Sequence, residues 1–246
     1  MWKYLYQFAS PKFFYRFAGN FVPVIAMLTL LTLLVGLIWG LVFAPADYQQ
    51  GDAFRIIYIH VPCAFLSMAI YAWMGFLALL LLIWQIKMAG LLLVTSAELG
   101  ACMAFLALCT GSIWGKPMWG TWWVWDARLT SELILFFLYA AIIATANSYK
   151  DKNQGDKLVA ILSLVGLVDL PIIHYSVYWW NTLHQGATLS LVSKPKIHSS
   201  MLYPLLVMLA AFSLYSLLII LLKARSELLR RERHQSWVHT LIEKEC

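Results

Sequence analysis

The sequence predicts an all-α integral membrane protein, a bundle of six transmembrane helices with its N and C termini in the cytoplasm. Three observations lead there. Of the 246 residues, 62% are hydrophobic and only 12% are charged, against about 25% charged in an average soluble domain. Six runs with few or no charges are each long enough for a spanning helix of about 20 residues. The 18 Lys and Arg residues divide unevenly between the two sides of such a bundle, 13 on the side of the termini and 5 on the other. That bias places both termini in the cytoplasm.

The first run, residues 21–43, is followed by "FAPA" and looks superficially like a cleavable leader. Its length exceeds the usual apolar core of about 7–15 residues, so it reads as an uncleaved first span. The second run, 58–85, opens beside His60 in "RIIYIHVP". The third, 90–113, carries Glu98 and ends at a Trp-rich segment, from which the fourth, 130–147, departs. The fifth, 158–178, holds Asp169 two residues before Pro171. The ring of Pro171 leaves the Leu167 carbonyl without its helical partner, which predicts a kink and a polar pocket. A charge inside a span costs roughly 2.5–3.5 kcal/mol on insertion scales. Glu98 and Asp169 therefore read as neutral buried carboxyls paired with neighbouring helices, a proton path being the alternative. The sixth run, 201–222, leads into a basic tail of about 223–246, "KARSELLRRERHQSW" at its start. This tail reads either as a helix lying on the anionic inner leaflet or as a stop-transfer charge cluster. No soluble domain, internal repeat or low-complexity tract interrupts the series, so residues 1–246 form one transmembrane domain.

Several classes of function are excluded. The net charge of +6 sits at span ends and in the tail, a membrane pattern rather than a nucleic-acid footprint. The four cysteines form no CxxC, so no thioredoxin-like pair or zinc-ribbon half is present. No CxxCH attaches a c-type heme, and no P-loop binds ATP.

The Trp-rich segment is "WGKPMWGTWWVWD", residues 114–126, with five of the twelve tryptophans. An aromatic belt accounts for one or two Trp at a helix end, as at Trp84, but not readily for Trp114, Trp119, Trp122, Trp123 and Trp125 together. Gly115, Pro117 and Gly120 favour turns in its first half. If the second half is helical, Trp119, Trp122, Trp123 and Asp126 fall at i, i+3, i+4 and i+7 on one face, a shelf of rings ending in a carboxylate. Belt packing and a platform for a large planar ligand are the two readings.

The histidines bear on that choice. His234 and His239 lie in the tail, whereas His60, His174, His184 (in "YWWNTLHQG") and His198 fall on the side of the Trp-rich segment. An interfacial His is often only a satisfied polar residue. Here several share a face with an aromatic shelf, and a planar macrocycle whose metal takes imidazole from both sides uses both features. Heme fits that description. The placement at the mouth of the bundle suits loading and handing over a cofactor better than carrying electrons across the bilayer. Arg55 and Arg128 flank the same surface, either as forks for the two heme propionates or as ordinary interfacial charges. Arg128 has Asp126 and Glu132 as alternative partners.

These residues also carry a family resemblance. "WGTWWVWD", residues 119–126, resembles the WWD signature of the heme-handling proteins of cytochrome c maturation. Together with six spans, a short chain and the "HVP" and "WWNTLHQG" segments, it resembles the CcmC (heme exporter protein C) family over nearly the whole chain. The resemblance implies a non-enzymatic protein of the bacterial inner membrane. Its WWD segment, about 114–130, would lie on the periplasmic face as a platform for transiently bound heme b. His60 and His184 match the family's axial iron ligands. The implied partners are the periplasmic heme chaperone CcmE, the small membrane protein CcmD, the ATPase CcmA and the permease CcmB. Two rival readings are a transporter that moves heme or another solute through its spans, and a b-type redox cytochrome.

Overall fold

A computed structural model of the chain describes residues 10–184 and 197–245. Lys3, Lys194 and Lys196, which enter the charge bias, lie outside the described residues. Helix α1, Pro11–Ile38, starts with proline at its first position, where the missing N–H is not needed. It continues through a π-helical turn, Trp39–Phe43, and stops at extended Ala44. A short 3-10 turn, Asp52–Ile56, leads into α2, Ile57–Trp84, which Gln85 ends in the left-handed region. Helices α3, Lys87–Trp119, and α4, Ala127–Ser148, follow. The fifth apolar stretch is divided into α5, Lys152–Gly166, and α6, Asp169–Trp179. Helix α7, Ser199–Arg231, and the short α8, Ser236–Glu245, complete the order. No β-strand occurs among the described residues.

Six stretches are long and apolar enough to cross a bilayer, one for each expected run. The expected kink falls at Leu167 and Val168. There the N–H of Leu170 donates to the Leu167 carbonyl at 3.2 Å, a tighter turn that satisfies the oxygen Pro171 cannot serve. Helices α3 and α7 have 33 residues each. At about 1.5 Å per residue they reach roughly 50 Å, well beyond a hydrocarbon core of about 30 Å. Their charged ends therefore project past any apolar slab.

The antiparallel pair α2–α3 forms the centre of the bundle, α4 and α5 pack on it, and α1 lies outside, against α7. Tyr71, Met74 and Leu77 of α2 meet Leu93 and Met103 of α3 and Leu135, Tyr139 and Ile142 of α4, all fully buried. A Cβ on Gly100 would come within 2.2 Å of the Tyr139 ring. Glycine thus lets Tyr139 lie against the α3 backbone, the close approach that small residues give helices in lipid. Its hydroxyl donates to the Ser67 carbonyl at 2.7 Å. Large apolar side chains such as Phe21, Leu30 and Leu34 of α1, Phe76 of α2 and Phe137 of α4 point outward, as expected of helices solvated by lipid tails.

The two ionisable residues inside the runs differ. Asp169 is buried, and its Oδ2 has no hydrogen-bond partner among the described residues. Glu98 sits on the half-exposed outer face and is ion-paired with Lys223 of α7, so its partner is a charged group. The basic tail does not separate from the bundle at 223, because α7 runs on to Arg231. That residue bridges to Asp156 of α5 at 2.5 Å and to Glu227 at 2.7 Å. Trp237 of α8 packs against Tyr15 of α1, ring centres 5.7 Å apart.

Candidate functional site

Because successive helices alternate in direction, the start of α2, the end of α3, the start of α4 and the end of α6 gather at one end of the bundle. They enclose a cavity of about 270 Å³, just below the range of roughly 300–1,000 Å³ for ligand pockets. His60, Trp114, Trp119, Trp123, Arg128 and His184 all line it. Trp122, Trp125, Asp126 and Arg55 do not.

His60 is held by α3. Its Nδ1 lies 3.1 Å from the Ala107 carbonyl and 3.1 Å from Thr110 Oγ1. A carbonyl can only accept, and the Thr110 hydroxyl donates its own hydrogen to the Leu106 carbonyl at 2.6 Å. Nδ1 therefore carries the proton, and Nε2 keeps its lone pair. Metal-ligating histidines are fixed in this way by a carbonyl behind the ring. Space for the ring comes from Gly111, where a Cβ would stand 3.1 Å from His60 Cε1.

His184 follows the end of α6 in a turn closed by Thr182. Its N–H donates to Thr182 Oγ1 at 3.1 Å, and that hydroxyl donates to the His184 carbonyl at 3.2 Å. The two imidazoles lie with ring centres 6.3 Å apart and planes inclined by 38°. Two imidazoles that share one metal at about 2 Å each hold their ring centres about 6 Å apart, a separation close to the one seen here. Among the described residues no group of three or more His, Cys, Asp or Glu could hold a bare ion. Two histidines suit a metal that brings its other ligands with it, as a porphyrin iron does.

The Trp-rich segment is built differently from the sequence expectation. Its first half is the helical one, since α3 passes through Gly115 and Pro117 to Trp119. Pro117 gives up the hydrogen bond its own N–H would make to the Ile113 carbonyl, and the helix ends two residues later. A Cβ on Gly115 would meet the Trp119 ring at 2.9 Å, so this glycine seats that ring across its own helix. Gly120, at φ 75°, then ends α3 by donating to the Lys116 carbonyl at 3.1 Å. Trp122, Trp123 and Trp125 lie on a non-helical link, and no single helical face joins them to Trp119 and Asp126.

The rings divide accordingly. Trp114 donates from Nε1 to Gln50 Oε1 at 2.9 Å and stands edge-on to His60, centres 5.7 Å apart. Trp119 lies 6.4 Å from the His184 ring. Trp123 is half-buried, with no hydrogen-bond partner for Nε1 among the described residues, and meets Trp125 edge-on at 5.4 Å. Trp122 and Trp125 are exposed, and the Lys116 ammonium sits 5.9 Å over Trp122.

The charged candidates separate as well. Asp126 is the N-cap of α4, accepting the Leu129 N–H at 2.8 Å. Arg128 donates to the Ile173 carbonyl at 2.5 Å and, among the described residues, makes no ion pair with Asp126 or Glu132. Arg55 bonds Asp52 at 3.0 Å and the Leu41 carbonyl. His174 stands edge-on to Tyr175, and His198 caps α7.

Two cavity residues, Gln50 and Glu132, carry no ligand signal in the sequence. Gln50 lies in a polar loop that carries no pattern. Glu132 enters the sequence reading as a partner for Arg128. Its spacing of four from Arg128 at the start of a helix was the available signal, since i and i+4 share a face.

The model of the family described as CcmC, heme exporter protein C, matches residues 4–239. A heme exporter protein C of Haemophilus influenzae is 51% identical over 243 residues, covering 99% of both chains. One from Escherichia coli is 51% identical over 244 residues, 99% of this chain and 98% of the relative. One from Bradyrhizobium diazoefficiens is 43% identical over 227 residues, 92% and 86% of the two chains.

Proposed function

The chain belongs to the heme exporter protein C family, and from that membership we propose that it binds heme at the Trp-rich end of its bundle. It delivers that heme to the chaperone CcmE during cytochrome c maturation. The Trp-rich end faces the periplasm and the termini face the cytoplasm, in keeping with the distribution of Lys and Arg. Heme b is cargo, held transiently. CcmD assists, and any ATP hydrolysis belongs to CcmA working with the permease CcmB.

The observation that carries this reading is the His60–His184 pair, two imidazoles spaced for one iron with the first already fixed through Nδ1. The chain contributes position rather than chemistry. His60 and His184 take the iron, and Trp114, Trp119 and Trp123 pack around the macrocycle. Arg128 answers a propionate, and Arg55 supports the neighbouring loop. Trp122 and Trp125, exposed at the rim, present aromatic surface to the incoming chaperone. A cavity open at the end of the bundle supports handing over better than conduction through the spans.

The test is the absorption spectrum of the chain purified with its chaperone partner. Wild type is expected to give a six-coordinate heme spectrum that changes in both His60→Ala and His184→Ala. Unaltered spectrum and occupancy in the two variants would overturn the axial assignment.

A further inference from the structure

The outer face of the bundle carries a second hollow, away from the Trp-rich end. A groove of about 380 Å³ opens between α1, α3 and α7. Glu98, Cys102 and Leu106 line it from α3, Phe212, Ile219 and Lys223 from α7, and Leu33 from α1. Steps of four on α3, and of seven and four on α7, put each set on one helical face. At about 1.5 Å per residue the groove runs about 12 Å along α3 and about 16 Å along α7. One leaflet of a hydrocarbon core of about 30 Å is about 15 Å deep.

The two ends of the groove differ. One is apolar, and the other holds the Glu98–Lys223 ion pair. Helix α7 is about 20 Å longer than the core, which shared equally leaves about 10 Å, or about seven residues, beyond the core at its C-terminal end. Lys223, eight residues before Arg231, therefore sits at the edge of the core, where acyl chains meet headgroups. The pair is not sealed by protein, with side chains 35% exposed at Lys223 and 55% at Glu98. Lys223 donates to Glu98 Oε2, and its remaining N–H groups and Glu98 Oε1 have no partner among the described residues. An ammonium beside a carboxylate, each with bonding capacity left, matches a ligand that carries both signs of charge. Gly, Ala, Ser and Thr, the small residues that bring a second helix close in lipid, are missing from the lining. The groove thus suits a hydrocarbon chain better than a partner helix. We propose that it is a lipid site, seating an acyl chain of a phospholipid whose headgroup bears a phosphate and a primary amine, the phosphate on Lys223 and the amine on Glu98. This is independent of the heme-binding reading above.

The experiment is native mass spectrometry of the delipidated full chain in detergent, titrated with phosphatidylethanolamine or phosphatidylglycerol of the same acyl chains. Phosphatidylethanolamine is expected to bind about tenfold more tightly than phosphatidylglycerol, which lacks the amine. The joint replacement Glu98→Gln, Lys223→Met should remove that preference, and Cys102→Trp, which fills the groove, should weaken binding of both lipids. No phosphatidylethanolamine adduct on wild type, or phosphatidylglycerol bound as tightly, overturns the proposal. Unchanged binding in a folded Cys102→Trp protein puts the lipid elsewhere and also overturns it. Should Cys102→Trp fail to accumulate, the preference of wild type and its loss in the joint replacement decide.

Discussion

The imidazole of His60 is fixed by three residues within one turn of α3: the Ala107 carbonyl and Thr110 hydroxyl behind it and Gly111 beside it. Helical spacing makes this possible, because positions 107, 110 and 111 share a face. The glycine is a matter of space, which gives a direct test. Gly111→Leu places a branched side chain where the His60 ring lies, and overpacking of this kind costs about 1–3 kcal/mol. The variant should remain folded and in the membrane yet lose most of its six-coordinate heme, read as the absorption of the purified protein. Full heme occupancy in Gly111→Leu would show that His60 does not need its observed position. None of this was legible in the sequence, where Gly111 was one apolar-run residue among many.

The end of α3 and the start of α4 decide how the Trp-rich segment is used. Gly120 stops one helix through its positive φ, and Asp126 starts the next by capping Leu129. The carboxylate that seemed from its spacing to close an aromatic shelf is thus an N-cap, which sets the direction in which Arg128 and Glu132 leave the link. Removing a cap costs about 1 kcal/mol, whereas Asn caps as well as Asp. Asp126→Ala should therefore lower both thermal stability and heme retention, and Asp126→Asn should retain most of both. If Asn is as damaging as Ala, the charge of Asp126 rather than its cap is what the site needs. The reversed order of helix and link has a physical reason. Gly115 and Pro117 look like helix breakers in isolation, but Pro117 costs a single hydrogen bond two residues before the helix ends, and the space at Gly115 is taken by the Trp119 ring.

Across the whole bundle the two ends are specialised. One gathers His60, His184 and the Trp rings, while the other is closed by the Arg231–Asp156–Glu227 network between α7 and α5. Breaking a buried pair leaves an uncompensated charge and costs about 3 kcal/mol. Arg231→Ala should thus lower the unfolding temperature in detergent markedly, and the double replacement Arg231→Met, Asp156→Leu should recover much of that loss. The heme spectrum should not change in either, since the network is at the far end. A spectral change would mean that the two ends are coupled. The sequence by itself determined the six long apolar runs, the helical class and the family, and it proposed one end of the bundle for the site. Apolar run length and a rare Trp-rich signature are local properties that survive without coordinates. Only the tertiary structure decided which of the singled-out residues share a cavity. It set Trp114, Trp119 and Trp123 inside, left Trp122, Trp125, Asp126 and Arg55 outside, and added Gln50 and Glu132. The reason is that a cavity is lined by residues far apart in sequence, such as His60 and His184, whose separation depends on how α2, α3 and α6 cross. Crossing depends on packing at glycines such as Gly100 and Gly111, and that packing is a property of pairs of helices rather than of any one stretch of chain.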